Sequence, residues 1–156
     1  IRDAHRMCDA RPWILDDPYA LILVGEPWRD IRAAHAKTHP EATWRPQRAG
    51  VVVRSRYAED RLITGRHRQY VTLGAGLDSL ARRRPDLVGP IRLFEVDHPA
   101  TQAWKRARIE ALHLPVHEDH IFVPIDFESE TLHSGLTRAG LDWSQSTFFS
   151  WLGVTM

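Results

Sequence analysis

The segment Gln69-Tyr-Val-Thr-Leu-Gly-Ala-Gly-Leu-Asp-Ser79 decides the fold class of this chain. A short run of β-forming residues ends at Leu73, a Gly-Ala-Gly turn follows, and helix-forming residues then continue to Pro85. Glycines in such a turn let the backbone bend sharply and let a ligand approach it closely, because no side chain intervenes. The segment therefore predicts a strand, a turn and a helix, which together are the repeating unit of an α/β sheet.

The same alternation continues toward the end of the chain. We expect four strands, at Tyr70–Leu73, Ile91–Val96 and Ile121–Pro124 and from Thr147 to Trp151. Between them we expect helices over 77–84, 100–112 and 131–139. Strands that alternate with helices predict a parallel sheet with helices on both faces, so the fold class is α/β.

Residues 1–66 show a different pattern, rich in proline, tryptophan, arginine and histidine. Asp16-Asp-Pro-Tyr19 is typical of a helix start, because Asp is a good N-cap and Pro suits the first turn. We expect residues 1–66 to form a helical region that packs on the sheet. Residues 67–156 then form the cofactor-binding half of the same structural domain.

Within that first region, residues 51–63 predict a helix that ends at Gly65. Val52 and Tyr57 are expected to share its buried side. Glu59 is expected to face water.

The composition limits the classes of function. A formal net charge of +1 over 156 residues gives no global field that favours nucleic acid or an anionic membrane. The single cysteine, Cys8, excludes an internal disulfide and fits a reducing cytoplasm. No apolar run approaches the ~20 residues that span a bilayer. The chain starts without Met and stops inside the apolar run 148–156, which predicts a fragment that ends after the fourth strand.

A carboxylate stands where the second strand ends. Asp97 follows the apolar run 91–96, and an acid at that position accepts hydrogen bonds from the two hydroxyls of a ribose. Glu95 should point to the same face and either supports Asp97 or substitutes for it. The alternatives are that Asp97 caps the helix near Pro99 and that the glycines form an ordinary strand-to-helix turn.

The glycine turn departs from a dinucleotide-binding fingerprint. That fingerprint needs a third glycine where this chain has Ser79, and the carboxylate of Asp78 at the helix start repels a pyrophosphate. These two residues favour a nucleoside without phosphates, such as S-adenosyl-L-methionine, over the cofactor of an NAD(P)-dependent oxidoreductase.

Two residues after the third strand are placed to contact an adenine ring. The acid of Asp126 can accept a hydrogen bond from the exocyclic amine, and the backbone N–H beside it can meet a ring nitrogen. The alternative is that Asp126 belongs to a turn and that Phe127 is a core residue. A histidine-rich stretch, His113 to His120, suggests metal ligands, but its prolines and loop character predict that no metal is held.

Several ordered motifs resemble the leucine carboxyl methyltransferase family, and more closely its bacterial branch of S-adenosylmethionine-dependent methyltransferases. They cover nearly the whole chain: Asp16-Asp-Pro-Tyr-Ala20, Arg54-Ser-Arg-Tyr-Ala-Glu-Asp60, Leu73-Gly-Ala-Gly-Leu-Asp-Ser79, Phe94-Glu-Val-Asp-His-Pro-Ala-Thr-Gln102 with Lys105, Phe122-Val-Pro-Ile-Asp-Phe127 and Trp151-Leu-Gly-Val-Thr-Met156. The resemblance implies a Rossmann-like class I methyltransferase fold, with S-adenosyl-L-methionine as cofactor and S-adenosyl-L-homocysteine as product.

The resemblance also implies a set of cofactor-binding residues: Arg54, Gly74, Gly76, Asp97, Asp126 and Phe127. Of these, Gly74 lies against the amino-acid part of the cofactor, Asp97 binds the ribose and Arg54 pairs with the cofactor carboxylate. A guanidinium suits that last role because it binds a carboxylate through two hydrogen bonds.

The chain departs from the family pattern at Leu152, where the family often carries an acid, and in its length, which is about half that of family members. The resemblance implies O-methyl transfer to a carboxylate or hydroxyl of a small molecule or peptide; the sequence identifies neither the acceptor nor a catalytic base. Neither nucleic acid nor a membrane is an expected partner, and a truncated sheet would favour self-association. The alternative function is a non-catalytic interaction domain that retains the fold.

Overall fold

The computed structural model describes residues 2–25 and 41–152 of the chain. The chain divides into two compact units, Ile1–Asp60 and Arg61–Met156, and each is described by itself. The predicted division after residue 66, with the first region packed on the sheet, stays a prediction.

Residues 2–25 and 41–60 of the first unit contain two short helices and most of a long one. In chain order they are α1, Arg2–Cys8; α2, Tyr19–Val24; and α3, Glu41–Thr64, whose residues 61–64 belong to the second unit. The predicted helix start is confirmed, because Oδ1 of the buried Asp17 accepts a hydrogen bond of 3.0 Å from the backbone N of Ala20. The carboxylate thus satisfies an N–H that has no partner inside the helix.

An ion pair joins the end of α1 to α3. Nε and Nη2 of Arg48 each donate to a different oxygen of Asp9, both at 2.8 Å, and Nδ1 of His5 lies 2.7 Å from Oδ2 of the same carboxylate. The hydrogen bonds from Arg48 hold the pKa of Asp9 well below its usual range, because they and His5 together outweigh the effect of burial. Arg48 itself is buried, so this pair is part of the packing of the first unit.

Helix α3 is longer than the helix predicted over 51–63, and its buried side differs from the prediction. Val52 is buried as expected, but Tyr57 is 65% exposed and Glu59 only 7% exposed. An α-helix has about 3.6 residues per turn, so position 59 returns to the side of position 52 and position 57 does not. The predictions for Tyr57 and Glu59 were therefore wrong.

The second unit contains a four-stranded sheet in which all strands are parallel. The strands are β1, Gln69–Leu73; β2, Arg92–Asp97; β3, His120–Pro124; and β4, Thr147–Trp151, in the spatial order β3-β2-β1-β4. The α/β class and the Rossmann-like parallel sheet are confirmed. The strand order changes direction at β1, because the chain moves outward through β2 and β3 and then returns to the other side of β1.

Three helices connect these strands: α4, Leu80–Arg83; α5, Pro99–Ala111; and α6, Leu132–Arg138. Helix α4 is shorter than the helix predicted over 77–84. The backbone N of Asp78 donates to the carbonyl of Ala75 at 2.7 Å, so the chain is still in a turn there. The side chain of Asp78 then accepts from the backbone N of Leu80 at 2.8 Å, where the helix begins.

Both faces of the sheet are covered by helices, as predicted. Neighbouring residues of a strand point to opposite faces, so Leu93 and Phe94 of β2 belong to different apolar clusters. On one face, α6 contributes to a buried cluster formed by Val71, Phe94, Val96, Val123, Ile125, Leu136 and Leu141. On the other, α4 and the end of α3 contribute to a cluster formed by Leu62, Tyr70, Leu80, Val88, Ile91 and Leu93.

Candidate functional site

The carboxyl ends of all four strands meet at one edge of the sheet. Leu73 is in register with Val96 on one side and with Trp151 on the other, and Asp97 is in register with Pro124. The residues that follow these strands therefore lie side by side. In open α/β sheets this edge is the usual place for a ligand, next to the strand at which the order reverses.

The turn after β1 has a backbone that favours glycine. Gly74 has φ of 63° and Gly76 has φ of 49°, both in the left-handed region that residues with a side chain rarely adopt. A Cβ at position 76 would meet no other atom of the described residues within 4 Å. The glycine is thus required by the backbone conformation, and the space beside it is open.

Asp97 lies at the end of β2 and both of its carboxylate oxygens are held by backbone N–H groups. Oδ2 accepts from the N of Gly76 at 2.5 Å, and Oδ1 accepts from the N of His98 at 2.7 Å. Each carboxylate oxygen has two lone-pair directions, so one acceptor site on each oxygen is left by these two bonds. The carboxylate is fixed in orientation and retains the capacity to accept two more hydrogen bonds.

Capping of helix α5 belongs to His98 and not to Asp97. Nδ1 of His98 accepts from the backbone N of Ala100 at 3.2 Å, and Pro99 occupies the first turn of the helix. Asp97 makes its hydrogen bonds to the glycine turn and to the N of His98 instead. The alternative prediction, in which Asp97 serves as the helix cap, was therefore wrong.

Glu95 shares a face of β2 with Asp97 but lies in a different environment. It is 5% exposed, its Oε2 accepts from Nζ of Lys105 at 2.5 Å, and its Oε1 lies 2.9 Å from Nε2 of His120. Burial alone would raise the pKa of Glu95, but the charge of Lys105 and the contact with His120 outweigh it and hold the pKa below its ordinary value. An ionised and fully engaged Glu95 can support Asp97 but cannot substitute for it.

Lys105 also reaches the glycine turn. Its Nζ donates to the backbone carbonyl of Asp78 at 2.6 Å, and Lys105 is only 2% exposed. The sequence motif that contains Lys105 does not indicate these contacts. The available signal was a polar stripe on α5, since Gln102 and Lys105 are buried together with Ile109 at helical spacing.

The residues predicted beside adenine lie directly after β3, which is hydrogen-bonded to the end of β2. The backbone N of Ile125 donates to the carbonyl of Asp97 at 3.0 Å, and Asp126 follows immediately. Oδ1 of Asp126 accepts from the N of Glu128 at 3.0 Å, so this residue does belong to a turn. Phe127 is 60% exposed, which excludes the alternative of a core phenylalanine.

The structure thus brings five of the six predicted residues to one edge of the sheet: Gly74, Gly76, Asp97, Asp126 and Phe127. The sixth, Arg54, is an exposed residue of α3 in the first unit. Its pairing with a ligand carboxylate stays a prediction.

Leu152 follows β4 at the same edge. Because Trp151 is in register with Leu73, Leu152 lies level with Gly74 on the neighbouring strand. Leu152 is partly buried, and no carboxylate stands at this position. The remainder of the motif that begins at Trp151, residues 153–156, lies outside the described residues.

Within residues 2–25 and 41–152, no group of three or more His, Cys, Asp or Glu side chains is arranged to hold a metal ion. None of the helices in these ranges is both long and apolar enough to cross a membrane. Of the histidines considered as ligands, His120 lies beside Glu95, and Nδ1 of His117 accepts from the N of Asp119.

The chain is similar in sequence to one protein family and to several bacterial proteins. The model of the leucine carboxyl methyltransferase family matches residues 2–156. Relatives named "Putative S-adenosyl-L-methionine-dependent methyltransferase" include YktD of Bacillus subtilis, which is 42% identical over 88 residues, or 56% of this chain and 29% of its own length. A Frankia alni relative is 34% identical over 145 residues, or 91% of this chain and 50% of its own length. A Mycobacterium marinum relative is 31% identical over 157 residues, or 95% of this chain and 51% of its own length. The chain therefore spans about half the length of these relatives or less.

Proposed function

Since this chain belongs to the leucine carboxyl methyltransferase family, we propose that it binds S-adenosyl-L-methionine at the carboxyl edge of its sheet and supports methyl transfer to an oxygen of an acceptor. The relatives carry that cofactor in their names, and the chain corresponds to about half of their length. The proposal for this chain stands on the fit between the cofactor and the residues at the edge.

The observation that carries the proposal is the arrangement around Asp97. A ribose presents two neighbouring hydroxyls, and a carboxylate with one acceptor site left on each oxygen matches them. The backbone N–H groups of Gly76 and His98 hold the carboxylate in place before a ligand arrives. A carboxylate whose orientation is already fixed loses less conformational freedom when the ligand binds, and this favours affinity.

The glycine turn fits the opposite end of the cofactor. The space beside Gly76 is open, and Gly74 is exposed at the end of β1, so a ligand can lie directly on this backbone. A side chain at position 76 would project into that space. This supports the proposal that Gly74 and Gly76 lie against the amino-acid part of the cofactor.

Asp126 and Phe127 are proposed to contact the adenine. The exposed ring of Phe127 offers a surface against which a base can stack, an interaction worth about 1–3 kcal/mol per base in other proteins. Oδ1 of Asp126 already accepts from a turn N–H, and its other carboxylate oxygen is proposed to accept from the exocyclic amine. Arg54 is proposed to pair with the cofactor carboxylate, as the family resemblance implies.

When bound, S-adenosyl-L-methionine supplies a methyl group on a positively charged sulfur; an acceptor oxygen forms the new C–O bond while the electron pair of the S–C bond stays on sulfur. The described residues act by binding and orienting, because positioning alone supplies much of the rate of a displacement between two held reactants. A carboxylate acceptor needs no general base in this step. A hydroxyl acceptor must also lose its proton.

The test is calorimetric titration of the protein with S-adenosyl-L-homocysteine, with NAD as the competing candidate. We expect saturable binding of S-adenosyl-L-homocysteine and no binding of NAD. Binding of NAD in its place would favour an oxidoreductase. Binding of neither ligand would favour an interaction domain that keeps only the fold.

Catalysis needs a second test. Transfer of a radiolabelled methyl group to a panel of small carboxylic acids, peptides and alcohols reports turnover, and it should be run on this chain and on the full-length Frankia alni relative, of which this chain covers 50%. Turnover by the relative and not by this chain would limit the proposal to cofactor binding.

A further inference from the structure

Lys105 is buried and carries a charge, although methyl transfer as proposed makes no use of it. It is 2% exposed, and Nζ donates to Oε2 of Glu95 at 2.5 Å and to the carbonyl of Asp78 at 2.6 Å. Burying an ammonium group is costly, and a buried ion pair is weak evidence for stability in itself. The second of its two contacts points to another role, because Asp78 belongs to the glycine turn.

The turn is attached to β2 at three places, and at its start the backbone N of Ala75 donates to the carbonyl of Val96 at 3.1 Å. Near its middle the N–H of Gly76 donates to Asp97, and at its end the carbonyl of Asp78 accepts from Lys105, which Glu95 in turn holds. Glu95 and Asp97 are two residues apart and therefore project from the same face of the strand. The turn cannot move away from β2 without breaking a hydrogen bond to an ionised group, and such bonds are stronger than neutral ones.

Glu95 is in turn held from both sides. Besides Lys105, Nε2 of His120 at the start of β3 lies 2.9 Å from its Oε1, and Nε2 of Gln102 donates to its backbone carbonyl at 2.7 Å. The group that fixes Lys105 is therefore part of the rigid interior of the sheet. Through its hydrogen bond to the carbonyl of Asp78, the ammonium of Lys105 links the turn to this interior.

We propose that Lys105 is a positioning residue of the ligand site, which holds the glycine turn so that the N–H of Gly76 stays on Asp97 and keeps the carboxylate in its binding orientation. The consequence for cofactor affinity rests on the proposed function. The consequence for the turn itself does not, because it can be observed in the protein without a ligand.

The informative variant is Glu95→Gln combined with Lys105→Met. Lys105→Met alone would leave a buried unpaired carboxylate and is expected to destabilise the fold, so its effects could not be assigned. The double variant removes both charges together and also removes the contact to Asp78. Glu95→Gln alone is the control, because its amide oxygen can still accept a hydrogen bond from Nζ and Lys105 retains its hydrogen bond to the turn. It also leaves a buried ammonium without its counter-charge, so both variants are compared under conditions in which their NMR spectra show them folded.

The first readout is the amide of Gly76 in the ligand-free protein, observed by NMR. A short hydrogen bond to a carboxylate moves an amide proton downfield and slows its exchange with solvent. In the double variant we expect this resonance to move upfield and its exchange to accelerate, while Glu95→Gln changes both much less. A folded double variant with the Gly76 amide unchanged would overturn the proposal.

The second readout is the affinity for S-adenosyl-L-homocysteine. We expect the double variant to bind about tenfold more weakly than Glu95→Gln, on the scale of one hydrogen bond to a charged group. Equal affinity of these two variants would reject the positioning role for binding. If the unaltered protein binds no S-adenosyl-L-homocysteine while its Gly76 amide responds as expected, the proposed function fails and the positioning of the turn stands.

Discussion

Gly76 and Asp97 are separated by 21 positions in the chain and meet in one hydrogen bond, 2.5 Å from the backbone N of the glycine to Oδ2 of the aspartate. Gly76 has a left-handed backbone, and its N–H meets the carboxylate at the end of β2. The conformation of the turn and the orientation of the carboxylate therefore depend on each other.

Replacing Asp97 with Ala should weaken the binding of S-adenosyl-L-homocysteine by about 1–3 kcal/mol, the scale of hydrogen bonds to a charged group. The loss follows from the removal of the acceptor for both ribose hydroxyls. Calorimetric titration measures it. Glu118→Gln, which removes one carboxylate from an exposed loop, should leave the affinity unchanged. An Asp97→Ala variant that is folded and binds normally would refute the ribose assignment.

Ala substitutions at two glycines should have opposite effects on stability. Gly76→Ala forces a side chain into a left-handed backbone, φ 49°, and should lower the free energy of unfolding by about 1–2 kcal/mol. Gly50→Ala lies inside α3, where a Cβ meets nothing within 4 Å, and should raise it by up to about 1 kcal/mol. Urea denaturation of both variants measures the difference. If both substitutions changed the free energy of unfolding equally, a side chain at position 76 would not strain the backbone of the turn.

Introducing an acid after β4 should strengthen binding of the amino-acid part of the cofactor. Leu152 lies level with Gly74, so the carboxylate of Leu152→Glu would stand near the amino group of a bound S-adenosyl-L-homocysteine. We expect a gain of about 0.5–1.5 kcal/mol. The control ligand is 5′-methylthioadenosine, which lacks the amino-acid tail and should bind both proteins equally. A gain for both ligands, or for neither, would contradict this placement.

The ion pair of Asp9 with Arg48 should make the stability of the first unit depend on pH in acid. The pKa of Asp9 is lower in the folded protein than in the unfolded chain, so its contribution is complete above the unfolded value of about 4 and is lost as pH falls through the folded value. Asp9→Asn removes this contribution. The stability difference between the two proteins should therefore be constant near neutral pH and shrink below about pH 4.

Because all other carboxylates are shared, their titration cancels in that comparison. The indole N–H of Trp13 donates to the carbonyl of Asp9 at 3.1 Å and provides a local NMR reporter of unfolding. A stability difference that stays constant down to the acid transition would show that the pair contributes nothing.

Replacing Gly135 on α6 with a larger residue should destabilise the protein unless Ile125, which directly follows β3, is made smaller at the same time. A Cβ at this position would lie 2.6 Å from Cγ1 of Ile125 and would also contact its Cδ1. Gly135→Ala should therefore cost about 1–3 kcal/mol through overpacking. Ile125→Val removes the Cδ1 atom and should cost about 0.5–1.5 kcal/mol alone. The double variant should cost less than the sum of the two, as measured by thermal or urea unfolding; simple additivity would argue against the clash.

The positions of the strands and of the site edge were predictable because they follow from local patterns. The run that ends at Leu73 and the run that ends at Asp97 are each apolar and bounded by turn residues, and a parallel sheet brings their ends to the same edge. The identity of the edge follows from topology alone. Nothing about side-chain partners is needed for this part of the prediction.

The partners of the polar residues could not be predicted in the same way. Lys105 is paired with Glu95 and with Asp78, which lie on two other elements, and only the packed structure shows that these three meet. The capping of α5 by His98 was missed because Asp is the commoner capping residue, whereas Asp97 was already engaged by the glycine turn. The error at Glu59 has a different origin, since the phase of a helix over a few residues was judged without its full length.

The two carboxylates of β2 also favour the correct register between that strand and its neighbours. Glu95 and Asp97 share one face, and Phe94 and Val96 share the other, where they pack with Leu136. A slip of one residue would exchange the two faces of β2 and place both acids in a hydrocarbon environment. There Glu95 would lack Lys105 and Asp97 would lack the N–H of Gly76, so both charges would be buried without a partner. Misaligned pairing of β2 is thereby heavily penalised, so the acids that shape the edge also help the nascent sheet to select its correct alignment.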